Sequence, residues 1–334
     1  MNNQKILILG NGFDLDFGSD TRYKTFAEGT LNEPFWKDSP LLHFLKRRFQ
    51  NMPNKNWFNF ENELAEYAKT ITSEPDKEMI EADRKDFQKL FFIGEYMNTM
   101  GWKTWKEERK EYIEANRENL NNPIINPVQM WGYELSVANK VLHLIAEHPT
   151  HFSKIITFNY TNLYEYLKVA VDDITQHDDN KSQAILESIN IIPIHIEKLS
   201  RYEKVPVLGI QEDAIVPAGY EFLKKKEQIN SEKRKSAIDD IYNASELVIF
   251  GHALGESDSD YFRTLFRDMF SEHPSHSREI WIFTKGDGRD LWKRIQELSG
   301  QENIMPQKTC TKIHIIDTNV IESLLNYEAF LETF

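Results

Sequence analysis

The first dozen residues constrain the fold more than any other segment of the chain. Four consecutive apolar residues, Ile6 to Leu9, lead directly into Gly10-Asn11-Gly12. An uninterrupted apolar run is typical of a strand buried on both faces, as in a parallel sheet covered by helices. Glycines after such a strand let the backbone approach a ligand closely, and backbone amides there suit a phosphate. Because Leu15 stands where the dinucleotide fingerprint has its third glycine, a plain strand-to-helix turn stays an alternative.

Apolar runs of strand length recur along the chain. They are Ile155–Phe158, Ile189–Ile194, Val205–Leu208, Leu247–Phe250, Ile280–Phe283 and Ile313–Ile316. Helical patterns separate several of these runs, which is typical of βαβ units. The predicted fold class is therefore α/β, with a Rossmann-like, doubly wound and mainly parallel sheet. Pro193 and Pro206 each remove a backbone donor, so we expect their strands at sheet edges.

The interval between the first two predicted sheet strands is long and has a helical pattern. From about residue 35 to residue 147 it contains no convincing strand, and apolar residues recur at helical spacing, as in Phe60, Leu64 and Tyr67. We therefore predict a large helical insert at residues 31–149. Residues 1–30 and 150–334 are predicted to form one α/β nucleotide-binding domain around it.

The composition argues against several classes of protein. A formal net charge of -13 does not suit a surface built to hold nucleic acid. No apolar run approaches the roughly 18 residues of a membrane-spanning helix, so we expect no membrane contact and a cytoplasmic location. The single cysteine, Cys310, excludes a disulfide framework and a cysteine-based zinc site. We interpret it as a buried structural thiol, and we predict no metal site.

One dense run of positive charge extends from Lys224 to Lys235. Basic residues so spaced on a helix mostly form a solvated face. A docking patch for an anionic partner is the alternative interpretation.

Polar residues follow further predicted strands and are expected at the same edge of the sheet as Gly10 and Gly12. In Thr157-Phe158-Asn159-Tyr160-Thr161, the amide of Asn159 can donate and accept simultaneously, and Thr161 is a candidate helix cap. A structural cap at the strand end is the alternative for Asn159. His195 emerges from an apolar strand, either as a satisfied structural histidine or as a general base at neutral pH.

A last segment combines a strand end, a glycine turn and the start of a helix. It runs Phe250-Gly251-His252-Ala253-Leu254-Gly255-Glu256-Ser257-Asp258. The helix opened by Ser257 and Asp258 offers a second seat for an anion at its N-terminus.

Together these segments resemble the AbiH abortive-infection proteins of bacteria. The resemblance is carried by Gly10-Asn11-Gly12-Phe13-Asp14, by Phe158-Asn159-Tyr160-Thr161 and by the segment from Gly251 to Asp258. Asn56-Trp57-Phe58-Asn59-Phe60-Glu61 also resembles the Trp-x-x-x-Glu element of that family's helical insert. The segments span nearly the whole chain in the same order as in the family.

AbiH proteins in turn resemble the sirtuin-like fold of bacterial NAD hydrolases. This resemblance implies that Asn159 and His195 are the catalytic residues and that Gly10 and Gly12 hold the phosphates of NAD. The residues it implies at the nucleotide are Gly10, Asn11, Gly12, Phe13, Asp14, Phe158, Tyr160, Thr161, Gly251, His252 and Asp258. NAD is then a substrate rather than a redox cofactor, and no metal is required.

Three positions depart from the sirtuin-like pattern. Asp14 replaces a small hydroxyl residue, Thr161 replaces an aspartate, and Ile196 replaces the glycine after the histidine. The branched side chain of Ile196 is expected to narrow the space beside His195.

The resemblance implies a role in anti-phage defence through hydrolysis of NAD to ADP-ribose and nicotinamide. Two alternatives stay open. The cleft could bind a nucleotide or ADP-ribose without cleaving it, as a sensor or regulatory subunit, or a partner protein could supply the toxic activity. The expected partners are a nucleotide ligand and either a second copy of the chain or another protein of the defence system.

Overall fold

The computed structural model describes residues 4–17, 21–24, 27, 39–52, 59–72, 74–90, 136–198, 204–211, 213–286, 288–301 and 312–318. The strands in these residues are β1 (Lys5–Leu9), β2 (Lys154–Thr157), β3 (Ile191–Pro193), β4 (Ile196–Lys198), β5 (Lys204–Pro206), β6 (Glu246–Phe250), β7 (Glu279–Thr284) and β8 (Ile313–Asp317). The helices are α1 (Asn11–Asp16), α2 (Pro40–Asn51), α3 (Phe60–Thr70), α4 (Lys77–Leu90), α5 (Val137–Glu147), α6 (Leu163–Thr175), α7 (Asp179–Ser188), α8 (Ser231–Asn243), α9 (Ser259–Met269) and α10 (Arg289–Ser299). Short 3-10 turns lie at Glu221–Leu223, Lys225–Glu227 and Glu256–Asp258.

The main sheet has six parallel strands in the order β3-β2-β1-β6-β7-β8. The chain builds outward from β1 to β3 and then returns to the other side of β1 for β6, β7 and β8. This order confirms the predicted Rossmann-like, doubly wound sheet, in which ligands bind where the strand order reverses. Pro193 lies in the edge strand β3 and Pro206 in a separate two-stranded sheet of β4 and β5, so both edge predictions are confirmed.

Alternate residues of β1 supply the cores on the two faces of the sheet, as the two-residue period of a strand requires. Leu7 and Leu9 pack with apolar side chains of α5 and α6. Ile6 and Ile8 pack with those of α8, α9 and α10. Because both faces are covered by helices, the strand is apolar throughout, as its sequence indicated.

A third apolar cluster joins α2, α3 and α4 to the chain that follows β5. The predicted helical stripe is buried there, with Phe60 and Leu64 fully covered, and Leu208 and Tyr220 contribute from the sheet domain. Helix α5, which falls within the interval 31–149, packs on the main sheet instead. Of the described helices in that interval, α2, α3 and α4 therefore pack together in the third cluster, whereas α5 packs on the main sheet.

None of the described helices combines the length and the low charge that crossing a membrane requires. Cys310, Trp57, Phe58 and Asn56 lie outside the described residues.

Candidate functional site

A cleft of about 720 Å³ lies where β1, β2 and β6 end. The predicted residues that line it are Asn11, Gly12, Phe158, Asn159, Tyr160, His195, Gly251, His252 and Asp258. The carboxyl ends of parallel strands meet at one edge of a sheet, which brings these distant segments together. Gly10, Phe13, Asp14 and Thr161 are not among the lining residues, and each has another role.

The glycines bring two loops into direct contact. A Cβ atom on Gly12 would lie 2.7 Å from Gly251 Cα, and one on Gly10 would lie 2.5 Å from His252 Cα. Gly251 has a φ of +65°, and its own Cβ would lie 2.4 Å from the Phe13 amide nitrogen. Since contacts this short do not occur, no side chain fits at these positions without a backbone shift.

The backbone amides of this loop are already hydrogen-bonded. Gly10 N–H donates to Phe250 O at 2.9 Å, and Gly12 N–H donates to Gly251 O at 2.8 Å. The predicted cradle of Gly10 and Gly12 amides for a phosphate is therefore wrong in this conformation. These glycines join the ends of β1 and β6, and Gly12 forms part of the cleft wall.

Phe13 belongs to the core rather than to the ligand site. Its side chain is fully buried on the α5–α6 side of the sheet, where its ring meets Phe250 edge-on with a centroid separation of 5.6 Å. Phe13 was predicted at the nucleotide, but its side chain is used in the core instead.

Asp14 lies behind Asn159 and holds its side chain. The Asn159 amide donates from Nδ2 to Asp14 Oδ1 at 2.9 Å, and the Thr161 hydroxyl donates to Asp14 Oδ2 at 2.8 Å. Two of the three residues that depart from the sirtuin-like pattern, Asp14 and Thr161, are thus hydrogen-bonded to each other. Burial raises the pKa of Asp14 to about 7, although the hydrogen bonds from Thr161 and Asn159 act to lower it.

His195 lies in the turn between β3 and β4. There its side chain contacts a buried cluster of charged side chains. Its Nε2 atom lies 3.0 Å from Asp258 Oδ1 and 3.0 Å from Lys225 Nζ. Lys225 Nζ also donates to Asp258 Oδ1 at 2.7 Å and pairs with Glu61 Oε1 at 2.7 Å. All four side chains are buried.

Opposite charges hold both members of the central ion pair in their charged forms. Burial alone would raise the pKa of Asp258, but Lys225 and His195 hold it well below its usual value. Burial likewise opposes the charge of Lys225, yet Asp258 and Glu61 raise the pKa of its ammonium group. Asp258 is therefore a fixed anion beside His195.

His252 supports the same anion from the loop after β6. Its Nδ1 accepts from the Leu254 amide at 3.0 Å, so the remaining proton of the neutral ring is on Nε2, which lies 3.5 Å from Asp258 Oδ2. The ring of Phe158 separates the two histidines, with centroids 4.5 Å from His252 and 5.6 Å from His195.

Two buried polar atoms of cleft-lining residues have no hydrogen-bond partner among the described residues. They are Asn159 Oδ1 and His195 Nδ1. Asn159 Oδ1 is an acceptor, whereas His195 Nδ1 is an acceptor in the tautomer whose Nε2–H donates to Asp258 and a donor in the tautomer whose Nε2 accepts from Lys225. Buried polar groups are nearly always paired, so these two indicate the place of a ligand or an ordered water.

Glu61 brings the helical insert to the site from the start of α3. Besides Lys225, it accepts hydrogen bonds from the Ser257 hydroxyl and, at 3.3 Å, from the Tyr160 hydroxyl. Tyr160 OH also donates to Val207 O at 3.1 Å. Burial, then Tyr23 and Glu61, raise the pKa of Tyr160 well above its usual value, so its hydroxyl stays protonated.

Sequence reasoning missed Lys225 as a site residue. It lies within the basic run interpreted as a solvated face, and its exposure of 4% shows that interpretation to be wrong at this position. Nothing in the run distinguishes Lys225 from its neighbours Lys224 and Lys226, which are only half-buried. Glu61, by contrast, was marked by the Trp-x-x-x-Glu element.

Ile196 does not narrow the cleft. It is half-buried in β4, pairs with Pro206 and is absent from the residues that line the cleft next to His195. His195 lies in the turn before β4, whereas Ile196 is the first residue of that strand. The expected obstruction at this position is therefore wrong.

A family model described as bacteriophage abortive infection AbiH matches residues 6–276, which is most of the chain. This protein belongs to the AbiH family. The match includes every cleft residue discussed above, so the resemblance drawn from the separate motifs is confirmed. No curated protein and no solved structure matches the chain significantly. Membership gives this AbiH protein a role in abortive infection of bacteriophage.

Proposed function

We propose that this AbiH protein acts in abortive infection by hydrolysing NAD to ADP-ribose and nicotinamide. The observation that carries the proposal is a pair of buried polar atoms without a partner among the described residues, Asn159 Oδ1 and His195 Nδ1, which belong to two residues that line one cleft. The cleft volume of about 720 Å³ falls within the usual range of small-molecule sites, roughly 300–1,000 Å³. Arg22 and Arg294 also line it and bring positive charge for a pyrophosphate.

The chemistry of this bond suits the residues present. Breaking the nicotinamide–ribose bond passes through an oxocarbenium-like state, and the leaving group is already cationic, so no acid has to protonate it. Asn159 Oδ1 orients water or a ribose hydroxyl, and His195 Nδ1 accepts the hydroxyl proton. The imidazolium so formed lies beside the fixed negative charge of Asp258, 3.0 Å from Nε2, which offsets the Lys225 ammonium group at the same distance.

The carboxylates also favour the positive charge that develops on the sugar. Glu61 and Asp258 share a single lysine, Lys225, so this part of the cluster is negative overall. A buried negative site stabilises a cationic transition state more than the neutral sugar that precedes it.

The test measures nicotinamide released from NAD by the purified protein, with and without extract of phage-infected cells. Asn159→Ala and His195→Ala should each reduce turnover by about 100-fold or more while ADP-ribose still binds. Asn180→Ala and His273→Ala, which change exposed residues of the same types, are matched controls and should retain full turnover.

The same assay decides between hydrolysis and the alternative of a nucleotide sensor. If the wild-type protein binds ADP-ribose but releases no nicotinamide even with the infected-cell extract, hydrolysis is rejected. Full phage protection by the His195→Ala variant would likewise favour a sensor, with a partner protein supplying the toxic activity.

A further inference from the structure

The side-chain amide of Asn159 is held in one of two orientations by a group that is not in the cleft wall. Its Nδ2 atom donates to Asp14 Oδ1 at 2.9 Å, and Asp14 is 1% exposed. An ionised carboxylate only accepts hydrogen bonds, so the amide must turn its nitrogen toward Asp14. That leaves Oδ1, a buried atom without a partner among the described residues, as the acceptor of a residue that lines the cleft.

We propose that Asp14 is a positioning residue of the cleft, whose ionised carboxylate presents Asn159 Oδ1 to the ligand and whose protonation reverses the amide. A protonated Asp14 carries an O–H donor, and the best partner for that donor is Asn159 Oδ1. The amide would then turn its NH₂ group toward the ligand. The cleft therefore exists in two forms. In one, Asn159 accepts a hydrogen bond through Oδ1, and in the other it donates one through its NH₂ group.

The described hydrogen-bond partners of the Asp14 side chain allow this change because they are neutral. Its side-chain partners are the Asn159 amide and the Thr161 hydroxyl, and Thr161 can rotate to accept or donate. Burial raises the pKa of Asp14 to about 7, and no cation among the described residues pairs with it to oppose this rise. Both forms are then populated near neutral pH.

The charged and titratable groups on the neighbouring elements are engaged elsewhere. Asp16, on α1 itself, accepts from the Ala138 amide at 2.8 Å and pairs with Lys285 at 3.1 Å. After β6, His252 and Asp258 contact each other, and on α5 the His143 ring contacts its own helix. None of these groups hydrogen-bonds or ion-pairs with Asp14 in the part of the chain that the structure describes.

The inference rests on the proposed function only for the identity of the ligand, because it concerns binding and not cleavage. Isothermal titration calorimetry with ADP-ribose between pH 5.5 and 8.5 is the first test. Wild-type affinity should fall about tenfold below pH 7, since a ligand hydroxyl that donates to Asn159 Oδ1 must reorient to accept from the NH₂ group and so gives up a hydrogen bond. Asp14→Asn, whose NH₂ group bonds to Asn159 Oδ1, should bind weakly at every pH.

Asp16→Asn is the matched control, because Asp16 is a buried carboxylate of the same helix that does not contact Asn159. It should keep the wild-type pH profile. The same profile in Asp14→Asn as in the wild type would overturn the inference.

A second measurement needs neither a ligand nor a variant at position 14. The side-chain NH₂ signals of Asn159, assigned in the ¹⁵N spectrum by their loss in Asn159→Ala, should shift with a midpoint near pH 7. Signals that do not move between pH 5.5 and 8.5 overturn the inference even if ADP-ribose binds. A clear midpoint in a protein that never cleaves NAD rejects the proposed hydrolysis and leaves the role of Asp14 standing.

Discussion

Asp14 and Asp258 are both buried carboxylates beside one cleft, at exposures of 1% and 7%, and they behave in opposite ways. Among the described residues, Asp14 hydrogen-bonds through its side chain to the neutral donors of Asn159 and Thr161, and burial raises its pKa to about 7. Against the same effect of burial, the Lys225 ammonium group and His195 hold the pKa of Asp258 well below its usual value. The comparison shows that the charge of the partner, and not the depth of burial, decides whether a carboxylate here titrates near neutral pH.

The two carboxylates can therefore do different work in one site. Asp258 stays negative at any physiological pH and can stabilise a positive charge on His195. Asp14 gains or loses its proton in the range where the protein operates, and it acts on Asn159. Asp258 thus supplies a negative charge that does not change with pH, whereas Asp14 changes the hydrogen bonds that Asn159 can make.

The largest effect is expected from removing the cation that keeps Asp258 ionised. Lys225→Met leaves Asp258 and Glu61 buried without their shared ammonium group, which should cost about 3–5 kcal/mol of the free energy of unfolding. Urea unfolding at pH 7.5 measures it. Lys235→Met, at an exposed position in the same basic run, should change stability by less than about 0.5 kcal/mol. Equal stability of the two variants would show that the cluster does not depend on its lysine.

Replacing Asp14 should have a smaller effect on the free energy of unfolding, and that effect should depend on pH. The pKa of Asp14 is about 7 in the folded protein and 3.8 in the unfolded reference, so the folded state binds the proton more tightly. Its stabilising contribution is complete below pH 3.8 and is lost as the pH rises through 7. Between pH 5 and pH 8, the wild type should lose about 2–3 kcal/mol relative to Asp14→Asn.

The variant Asp258→Asn provides the corresponding test for the other buried carboxylate. Because the pKa of Asp258 lies well below 3.8, its contribution is present above that pH and is lost only as the pH falls through the lowered value. Ionisation of Asp258 itself should therefore add no slope to the difference in unfolding free energy between Asp258→Asn and the wild type from pH 5 to pH 8. A matching slope for the two variants would remove the distinction between the regions.

The sheet and the cleft residues at its edge were predictable because they depend on local patterns. Apolar runs mark the strands, and parallel strands bring Asn159, His195 and Asp258 to one edge whatever the details of packing. The burial of Lys225 was not predictable, because it depends on Asp258 and Glu61 approaching from other elements. The contact of Gly12 with Gly251 was likewise hidden, since a glycine that faces a ligand and one that faces another loop look alike in sequence.

The smallest effect is expected from the neutral hydrogen bond at Asp14. Thr161→Val removes the donor to Asp14 Oδ2 and should cost about 1 kcal/mol of stability, well below the effect of Lys225→Met. That hydrogen bond lowers the pKa of Asp14, so its loss should move the midpoint of the Asn159 NH₂ titration to higher pH. Thr161→Ser keeps the hydroxyl and should keep the wild-type midpoint. A midpoint that moves to lower pH in Thr161→Val would mean that an unrecognised cation, and not neutral donors alone, sets the charge of Asp14.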